Sequence, residues 1–303
     1  MENTRRGFLQ AAGTMAVAGV ASGAPAPAAA LPTVKFGGKH EISRMLIGTN
    51  PLMGYSHFNR NLDMSMREWM TPERRIETIL AAERAGVTTW QLHYHQDTIA
   101  ILEGIRARGS KMKTFLLSDF ELQKDFTMIP GLAKMGFLGM AHHGNRTDEA
   151  FRAGKMDSVL EFVKRVRDTG VMAGVSTHNP DVVDWIESKG WPTDYYMTCF
   201  YRVSRTAEEA RALMGGERPL GETFLEKDPV RMTAMIQKTK KPCLGFKIIG
   251  AGRIGATREN IADAMKFAFS NIKPADAVIV GMWPKFKDEI TENCEIVRQL
   301  HAT

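Results

Sequence analysis

Histidines recur in this sequence at or just after the ends of short apolar runs. Five of the eight do so, and they are His93, His95, His142, His143 and His178. An imidazole with an ordinary pKa of about 6.5 transfers protons near neutral pH and also ligates metal ions. Five buried imidazoles kept only for packing would need many polar partners. The pattern therefore favours a joint role in proton transfer or ligand binding.

The segment 88–95, which reads TTWQLHYH, carries two of these histidines and is predicted to be a strand. Side chains alternate between the two faces of a strand. One predicted face is polar and holds Gln91, His93 and His95. The other face is apolar and holds Trp90, Leu92 and Tyr94. A helix pattern follows from 97 to 108, and a polar strand end before a helix is where a βα barrel places its active site.

A strand pattern followed by a helix pattern recurs about eight times without an intervening linker. The predicted fold class is α/β, with residues 31–303 forming a single (β/α)8 TIM barrel domain. The strand candidates are apolar runs too short for helices, as expected of strands buried on both faces. They span 45–49, 88–95, 113–118, 137–142, 171–177, 195–201, 243–249 and 277–282. A short N-terminal β-hairpin, 33–36 and 40–43, precedes them.

Helix starts are marked by capping residues followed by proline and an acid. Thr71-Pro72-Glu73 and Asn179-Pro180-Asp181 both have this pattern. Later helices are predicted to open at Asp157, at Thr257 and within 286–289, and a further helix is predicted over 120–135. The methionine-rich segment 52–70 is predicted to be a loop or lid packed over the barrel.

Residues 1–30 are predicted to be an export signal outside the fold. Arg5 and Arg6 precede Gly-Phe-Leu and an alanine-rich run that ends in small residues. This arrangement resembles a twin-arginine signal, which addresses folded bacterial proteins to an export machinery. We therefore expect a periplasmic or exported protein that has the twin-arginine export machinery as a partner. No stable membrane span is expected, because the run is short and weakly apolar for a span of about 20 residues.

The net charge and the cysteine content limit the kinds of partner and site that the chain is expected to have. A net charge of +6 over 303 residues is mild, and no Lys/Arg cluster with interleaved aromatic residues stands out, so no nucleic-acid partner is expected. Cys199, Cys243 and Cys294 are odd in number and widely spaced. They predict buried free thiols, since neither a disulfide framework nor a cysteine-rich metal site has this spacing.

Four segments resemble the aldo/keto reductase superfamily, and the resemblance covers nearly all of residues 33–300. They are the hairpin and first strand at 34–54, GVSTHNP at 174–180, KPCLGFKIIGAGR at 241–253 and ADAVIVGM at 275–282. The resemblance implies a TIM barrel that binds NAD(P) and reduces or oxidises a carbonyl or sugar-like small molecule. By position it implies that Ser176 holds the nicotinamide amide. The adenosine end would be held by Lys285, Lys287, Glu289 and Asn293.

The chain departs from the family's catalytic set. That family uses a Tyr acid assisted by Lys, Asp and His, but here the second strand has Gln91 and His93 where the Asp is expected. The third strand has Ser118 and Asp119 where the Lys is expected, and only the fourth-strand His remains, as His142 or His143. The catalytic candidates are His93, His95, His142, His143 and Asp119. The resulting hypothesis is an oxidoreductase in which a histidine replaces the Tyr acid.

Two other function classes stay open. In one, the barrel binds a divalent metal, Zn or Mn, and acts as a lyase, isomerase or hydrolase. The metal ligands would come from His93, His95, His142, His143 and His178. In the other, the polar barrel mouth only binds a small ligand.

Overall fold

The structure is a computed structural model that describes residues 30–302. Eight parallel strands form one closed barrel in the order β10-β3-β4-β5-β6-β7-β8-β9. They are β3 (Met45–Ile47), β4 (Thr89–His93), β5 (Lys113–Leu117), β6 (Gly139–His142), β7 (Met172–Thr177), β8 (Tyr195–Cys199), β9 (Cys243–Phe246) and β10 (Ala277–Val280). The predicted (β/α)8 barrel is confirmed, and each strand lies within one of the eight apolar runs.

The predicted N-terminal hairpin is also confirmed. Strands β1 (Thr33–Phe36) and β2 (His40–Ser43) pair antiparallel and form a separate sheet. Phe36 inserts between Phe115 and Tyr195, with ring centroids 5.4 and 5.7 Å away. Tyr195 fits inside the barrel because Gly174 lies beside it, where a Cβ would come within 2.3 Å of the ring. The N-terminal end of the barrel is therefore closed by packed aromatic side chains.

Helices surround the barrel and complete its alternating order. They are α1 (Arg60–Trp69), α2 (Pro72–Arg84), α3 (Gln96–Ala107), α4 (Phe120–Lys124), α5 (Ile129–Ala133), α6 (Gly144–Arg152), α7 (Asp157–Asp168), α8 (Pro180–Ser188), α9 (Ala207–Leu213), α10 (Asp228–Lys238), α11 (Arg258–Asn271) and α12 (Glu289–His301). Single 3-10 turns occupy Pro51–Met53, Phe126–Met128 and Gly250–Gly252. Thr71, Asn179 and Thr257 cap α2, α8 and α11 through their side chains, as their sequence positions predict.

Two segments differ from their predictions. The helix predicted over 120–135 is broken into α4, a 3-10 turn and α5, because Asp125 leaves the helical conformation and its carboxylate caps the next turn. The segment 52–70, predicted as a loop, contains α1. Asn59 caps this helix by accepting a hydrogen bond from the Leu62 N–H at 2.9 Å, and Met66 is buried beneath it.

The apolar core has two layers divided by the barrel wall. Trp90 and Leu92 belong to the outer cluster between strands and helices, and Phe115 and Tyr195 belong to the inner one. The alternation predicted for β4 is therefore present within the strand itself. Cys199, Cys243 and Cys294 are buried free thiols, as predicted.

No helix between residues 30 and 302 is long and apolar enough to span a bilayer. The predicted export signal falls on residues 1–30, and all but the last of these lie outside the described residues. The twin-arginine address and the periplasmic location stay predictions.

Candidate active site

A cavity of about 440 Å³ opens where the barrel strands end, and we call it the mouth cavity. Its polar lining consists of Asn50, His57, Asp63, His93, Asp119, His143, Asn145, Ser176, His178, Glu222 and Lys247. Its apolar walls consist of Tyr55, Leu117, Phe120, Val203 and Phe246. TIM-barrel enzymes place substrates and catalytic groups at this end of the barrel.

The strand ends position five of the polar groups. His93 is the last residue of β4, Ser176 lies near the end of β7, and three further side chains follow directly after strands. These three are His143 after β6, His178 after β7 and Lys247 after β9. Because parallel strands end on the same rim, residues distant in sequence converge on one cavity.

The best-defined group in the mouth cavity is the pair His178 and Asp148. The two side chains are 6% and 1% exposed, and His178 Nδ1 lies 2.9 Å from Asp148 Oδ2. The same oxygen accepts the His178 backbone N–H at 3.0 Å, and Thr177 donates its hydroxyl to the other oxygen. The Asp148 carboxylate thus holds His178 both by its imidazole ring and by its backbone N–H.

Protonation states follow from burial and from these hydrogen bonds. Burial lowers the pKa of His178, and the opposing effect of Asp148 does not restore it to its ordinary value. Burial acts to raise the pKa of Asp148, but the hydrogen bonds from His178 and Thr177 outweigh it and hold the pKa low. At neutral pH the pair is a neutral imidazole with its proton on Nδ1, facing a carboxylate. The Nε2 lone pair makes no hydrogen bond with any residue of 30–302 and is left for a ligand in the mouth cavity.

Gly144 makes room for this arrangement. A Cβ at Gly144 would lie 2.9 Å from His178 Cε1 and 3.0 Å from Ser176 Oγ. Both distances are shorter than ordinary contacts, and the His178 ring is already fixed by Asp148. The glycine that opens α6 is therefore a steric requirement of the site.

His143 and His93 add two further imidazoles. Burial lowers the pKa of His143 to about 4, and the Nδ1 atom is buried without a partner among residues 30–302. The ring lies against Phe120, with centroids 5.9 Å apart. Burial also lowers the pKa of His93, although the nearby Asp119 carboxylate acts to raise it. Both rings are neutral at pH 7 and suit hydrogen bonds to hydroxyl or carbonyl groups.

The structure corrects the predicted positions of His95 and His142, which do not line the mouth cavity. Strand β4 ends at His93, so the alternation stops there. His95 caps α3, where Nδ1 accepts the Asp97 N–H at 3.2 Å. His142 points to the helix layer because its neighbour Ala141 points into the barrel. Its ring hydrogen-bonds Thr147 at 2.8 Å and packs on Phe162, and burial lowers its pKa to about 3.

Six polar residues of the mouth cavity were not selected from the sequence, and Lys247, His57 and Glu222 are three of them. Lys247 follows β9, which ends at Phe246, whereas the predicted strand ran from 243 to 249 and placed Lys247 inside it. His57 and Glu222 lie on separate loops and gave no such signal. His57 Nδ1 donates to Glu222 Oε1 at 3.0 Å, and His57 Nε2 accepts from the Asn50 amide at 3.0 Å. This hydrogen bond between His57 and Glu222 joins two loops across the rim.

The predicted dinucleotide residues do not converge on a free binding surface. Lys285 donates to Ser65 at 3.0 Å, and Lys287 pairs with Glu292 at 2.5 Å. Glu289 accepts the Trp283 N–H at 2.7 Å. Asn293 is 3% exposed, and its side-chain oxygen is buried without a partner among residues 30–302. Only Ser176 lines the mouth cavity. As arranged here, the four adenosine-end residues do not fit NAD(P).

The predicted metal ligands also fail to converge. Of the five histidines, only His93, His143 and His178 line the mouth cavity, and His178 Nδ1 is already occupied by Asp148. Within residues 30–302, no three His, Cys, Asp or Glu side chains are arranged to hold one ion. The residues present therefore do not fit a Zn or Mn centre.

No family model and no curated protein matches this chain. Solved structures do match. The aldo-keto reductase AKR11C1 of Bacillus halodurans, in its holo form, gives a TM-score of 0.57 at 12% identity, covering 88% of this chain and 91% of that one. A truncated 3-deoxy-D-arabino-heptulosonate 7-phosphate synthase of Thermotoga maritima gives 0.53 at 13% identity, covering 90% and 92%.

At these identities the similarity is one of fold. A reductase and a synthase are both similar to the same chain, so the fold is one that serves enzymes with unrelated reactions. The chain is a (β/α)8 barrel, and similarity of fold does not by itself select a function.

Proposed function

We propose that this protein is an enzyme that moves a proton on a small, polar carbonyl compound, such as a sugar-like hydroxyketone. His178 Nε2 is the general base, and Asp148 is the residue that orients it. The reaction class is proton abstraction beside a carbonyl, which is the first step of isomerases and many lyases. The observation that carries the proposal is the buried His178–Asp148 pair at a residue that lines the mouth cavity, with Nδ1 held by the carboxylate and Nε2 making no hydrogen bond with residues 30–302.

The pair is chemically suited to this step. A neutral imidazole accepts the substrate proton on Nε2, and the resulting imidazolium keeps its Nδ1 proton directed at the Asp148 carboxylate. The carboxylate thus stabilises the charge that develops on the ring. A positioned general base of this type contributes about 10²- to 10⁴-fold to a reaction rate.

The substrate class follows from the cavity lining. Neutral imidazoles and the Asn50 and Asn145 side chains offer hydrogen bonds to hydroxyl and carbonyl groups, while Phe120 and Phe246 offer flat apolar faces. This mixture suits a compact polyhydroxylated molecule better than a long or strongly charged one. The chain therefore offers a general acid–base site for a hydroxycarbonyl compound.

Hydrogen exchange into substrate tests the proposal directly. Dihydroxyacetone and erythrulose would be incubated with the protein in D2O, and loss of the proton signal beside the carbonyl would be followed by NMR. We expect exchange with the unaltered protein and a loss of about 10²- to 10⁴-fold in His178→Gln. His95→Gln is the matched control, since His95 lies outside the mouth cavity. Absence of exchange with both ketoses, or equal rates in His178→Gln, would contradict the proposal.

NAD(P)-linked oxidoreduction is the second candidate function. It is favoured by one observation: Ser176 and His143, to which the family resemblance assigns the nicotinamide amide and the fourth-strand His, both line the mouth cavity. It is weakened by the adenosine-end residues, whose polar groups are engaged within the protein or buried. Titration of NADP(H) separates the two candidates and is described with the predictions below.

A further inference from the structure

Lys247 is the only lysine of residues 30–302 that lines the mouth cavity. It follows the last residue of β9, on the rim that also holds His178 and His143. Its ammonium group makes no ion pair or hydrogen bond with another residue of 30–302. Nζ lies over the face of Phe246, 5.4 Å from the ring centroid. The amine is therefore half-buried and uncommitted.

The backbone at Lys247 is held in a conformation that favours glycine. Its φ is +57°, in the left-handed region that residues with side chains rarely adopt. Glycine would adopt this conformation without the steric penalty. A non-glycine residue in such a conformation, at the mouth of a barrel, points to a role for its side chain.

Neighbouring groups leave the amine available and place a base near it. Glu222 is a carboxylate on which the charge of Lys247 acts, but it makes no ion pair with Lys247 and accepts a hydrogen bond from His57 at 3.0 Å. The charge on Lys247 acts on both His178 and His143, lowering the pKa of each ring, after the larger effect of burial. The Phe246 ring contacts both Lys247 and His178, since the His178 ring centroid lies 5.7 Å from the Phe246 centroid.

We infer that Lys247 is a catalytic nucleophile that forms an imine with the carbonyl carbon of the substrate. This inference rests on the proposed function and deepens it, because an imine makes the neighbouring C–H more acidic. The ligand class is an aldehyde or ketone. An ester or amide would not form a stable imine and is excluded as the reacting group.

The steps balance with water as the only co-reactant. The Lys247 ammonium first gives one proton to water, and the uncharged amine attacks the carbonyl carbon. A C–N bond forms, the carbonyl π electrons move to oxygen, and a proton passes from the attacking nitrogen to that oxygen. The carbinolamine hydroxyl then takes back the proton first given to water and leaves as water, giving a protonated imine. His178 Nε2 removes the neighbouring C–H proton, and that electron pair neutralises the iminium as an enamine. Reprotonation and addition of water release the product and restore the amine.

Reductive trapping tests the imine. The full chain would be incubated with dihydroxyacetone and sodium borohydride, which reduces an imine to a stable amine, and intact mass and peptide mapping would locate the adduct. We expect one saturable adduct per chain on Lys247 and none at that position in Lys247→Arg. Lys285→Arg is the matched control, a lysine outside the mouth cavity, and should be labelled like the unaltered protein. Unselective labelling of surface lysines, unchanged in Lys247→Arg, would overturn the inference.

The exchange assay separates failure of the imine from failure of the proposed function. If His178-dependent exchange into dihydroxyacetone occurs in D2O but no adduct forms on Lys247, the imine is wrong and the acid–base enzyme stands. If Lys247→Arg keeps the full exchange rate, Lys247 supplies only charge and the imine is again wrong. If neither exchange nor trapping is seen with dihydroxyacetone or erythrulose, both proposals fail. Circular dichroism of Lys247→Arg shows whether a loss reflects unfolding.

Discussion

His178 and Asp148 form one buried unit in which a single carboxylate oxygen holds both the ring and the backbone of the histidine. The ring contact is 2.9 Å and the backbone contact is 3.0 Å. The two residues come from different elements, since Asp148 is in α6 and His178 follows β7. Rotation of the imidazole would break the first contact while the second keeps the carboxylate in place. The ring orientation is thus fixed, at a residue that lines the mouth cavity.

Asp148→Asn should show how much Asp148 contributes to orienting the His178 ring and how much it contributes to the stability of the fold. An amide supplies one oxygen and one NH2, so it cannot accept the ring N–H, the backbone N–H and the Thr177 hydroxyl as the carboxylate does. We expect exchange in D2O to fall about 10²-fold or more and the free energy of unfolding to fall by about 1–3 kcal/mol. Both are measured on one preparation, by NMR and by urea unfolding. A folded variant with full exchange activity would show that Asp148 does not orient the base.

Stability should fall as the pH is lowered from about 6.5 towards 4. A group with a lower pKa in the folded chain than in the unfolded chain binds its proton more readily when unfolded, so acid favours unfolding. Burial lowers the pKa of His142 to about 3 and that of His143 to about 4. Their stabilising contribution is complete above the unfolded pKa of about 6.5 and is lost as the pH falls through this window.

The test is urea unfolding at a series of pH values for the unaltered protein and His142→Gln. Each fully depressed histidine contributes a slope of about 1.4 kcal/mol per pH unit within its window. The His142→Gln variant should lose one such contribution between pH 6.5 and 4, and its curve should parallel that of the unaltered protein between pH 7 and 8. Identical slopes in the acid window would show that His142 is not buried as a neutral ring.

The barrel could be predicted from the sequence because each strand is a separate apolar run with a helix pattern after it. Within β4 the two-residue alternation also held, with Trp90 and Leu92 facing the helices. The alternation of side chains between two faces does not continue past the end of β4. His95 lies two residues after that end and caps α3 instead. At β6 a choice between adjacent histidines was needed, and only the observed register shows that His142 points outward and His143 lines the mouth cavity.

The rest of the site depends on loops and on packing between elements. His57 and Glu222 are 165 residues apart and meet only because two rim loops are folded together. Asp148 lies in the middle of a helix pattern, where an acidic residue is ordinarily assigned to solvent. No local signal indicates that its carboxylate is buried against the strand that precedes His178. Lys247 was missed for a different reason: the predicted strand 243–249 extends past Phe246, the last residue of β9, and so placed Lys247 inside the strand.

NADP(H) should not show saturable binding at millimolar concentration. Lys285, Lys287 and Glu289 already have partners within the protein, and releasing them costs the interactions they make now. Quenching of protein fluorescence and isothermal calorimetry would measure the affinity. Tight, saturable binding would show that these residues rearrange and would restore the oxidoreductase as the leading candidate.

Glu289→Ala provides the complementary measurement on stability. If Glu289 serves the fold, its loss leaves the Trp283 N–H without a partner and lowers the free energy of unfolding by about 1–3 kcal/mol. Lys287→Ala is the comparison variant on the same segment; its exposed pair with Glu292 should contribute below about 1 kcal/mol. A neutral Glu289→Ala in urea unfolding would show that its hydrogen bond is not structural.

Gly144→Ala should damage the active site through a single methyl group. The added Cβ would lie 2.9 Å from His178 Cε1 and 3.0 Å from Ser176 Oγ, so the imidazole must move or the start of α6 must shift. Because a displacement of about 1 Å in a catalytic group costs about 100-fold in rate, we expect a loss of that size in the exchange assay. Overpacking should also lower the free energy of unfolding by about 1–3 kcal/mol.

Gly131→Ala is the matched control for that variant, because it makes the same change at another helical glycine. No atom lies within 4 Å of a Cβ built at Gly131, and the residue is exposed in α5. Alanine there should raise the free energy of unfolding by about 0.5–1 kcal/mol and leave exchange unchanged. Equal exchange rates in the Gly144 and Gly131 variants would mean that the His178 ring tolerates displacement. Its orientation by Asp148 would then not be what sets the rate.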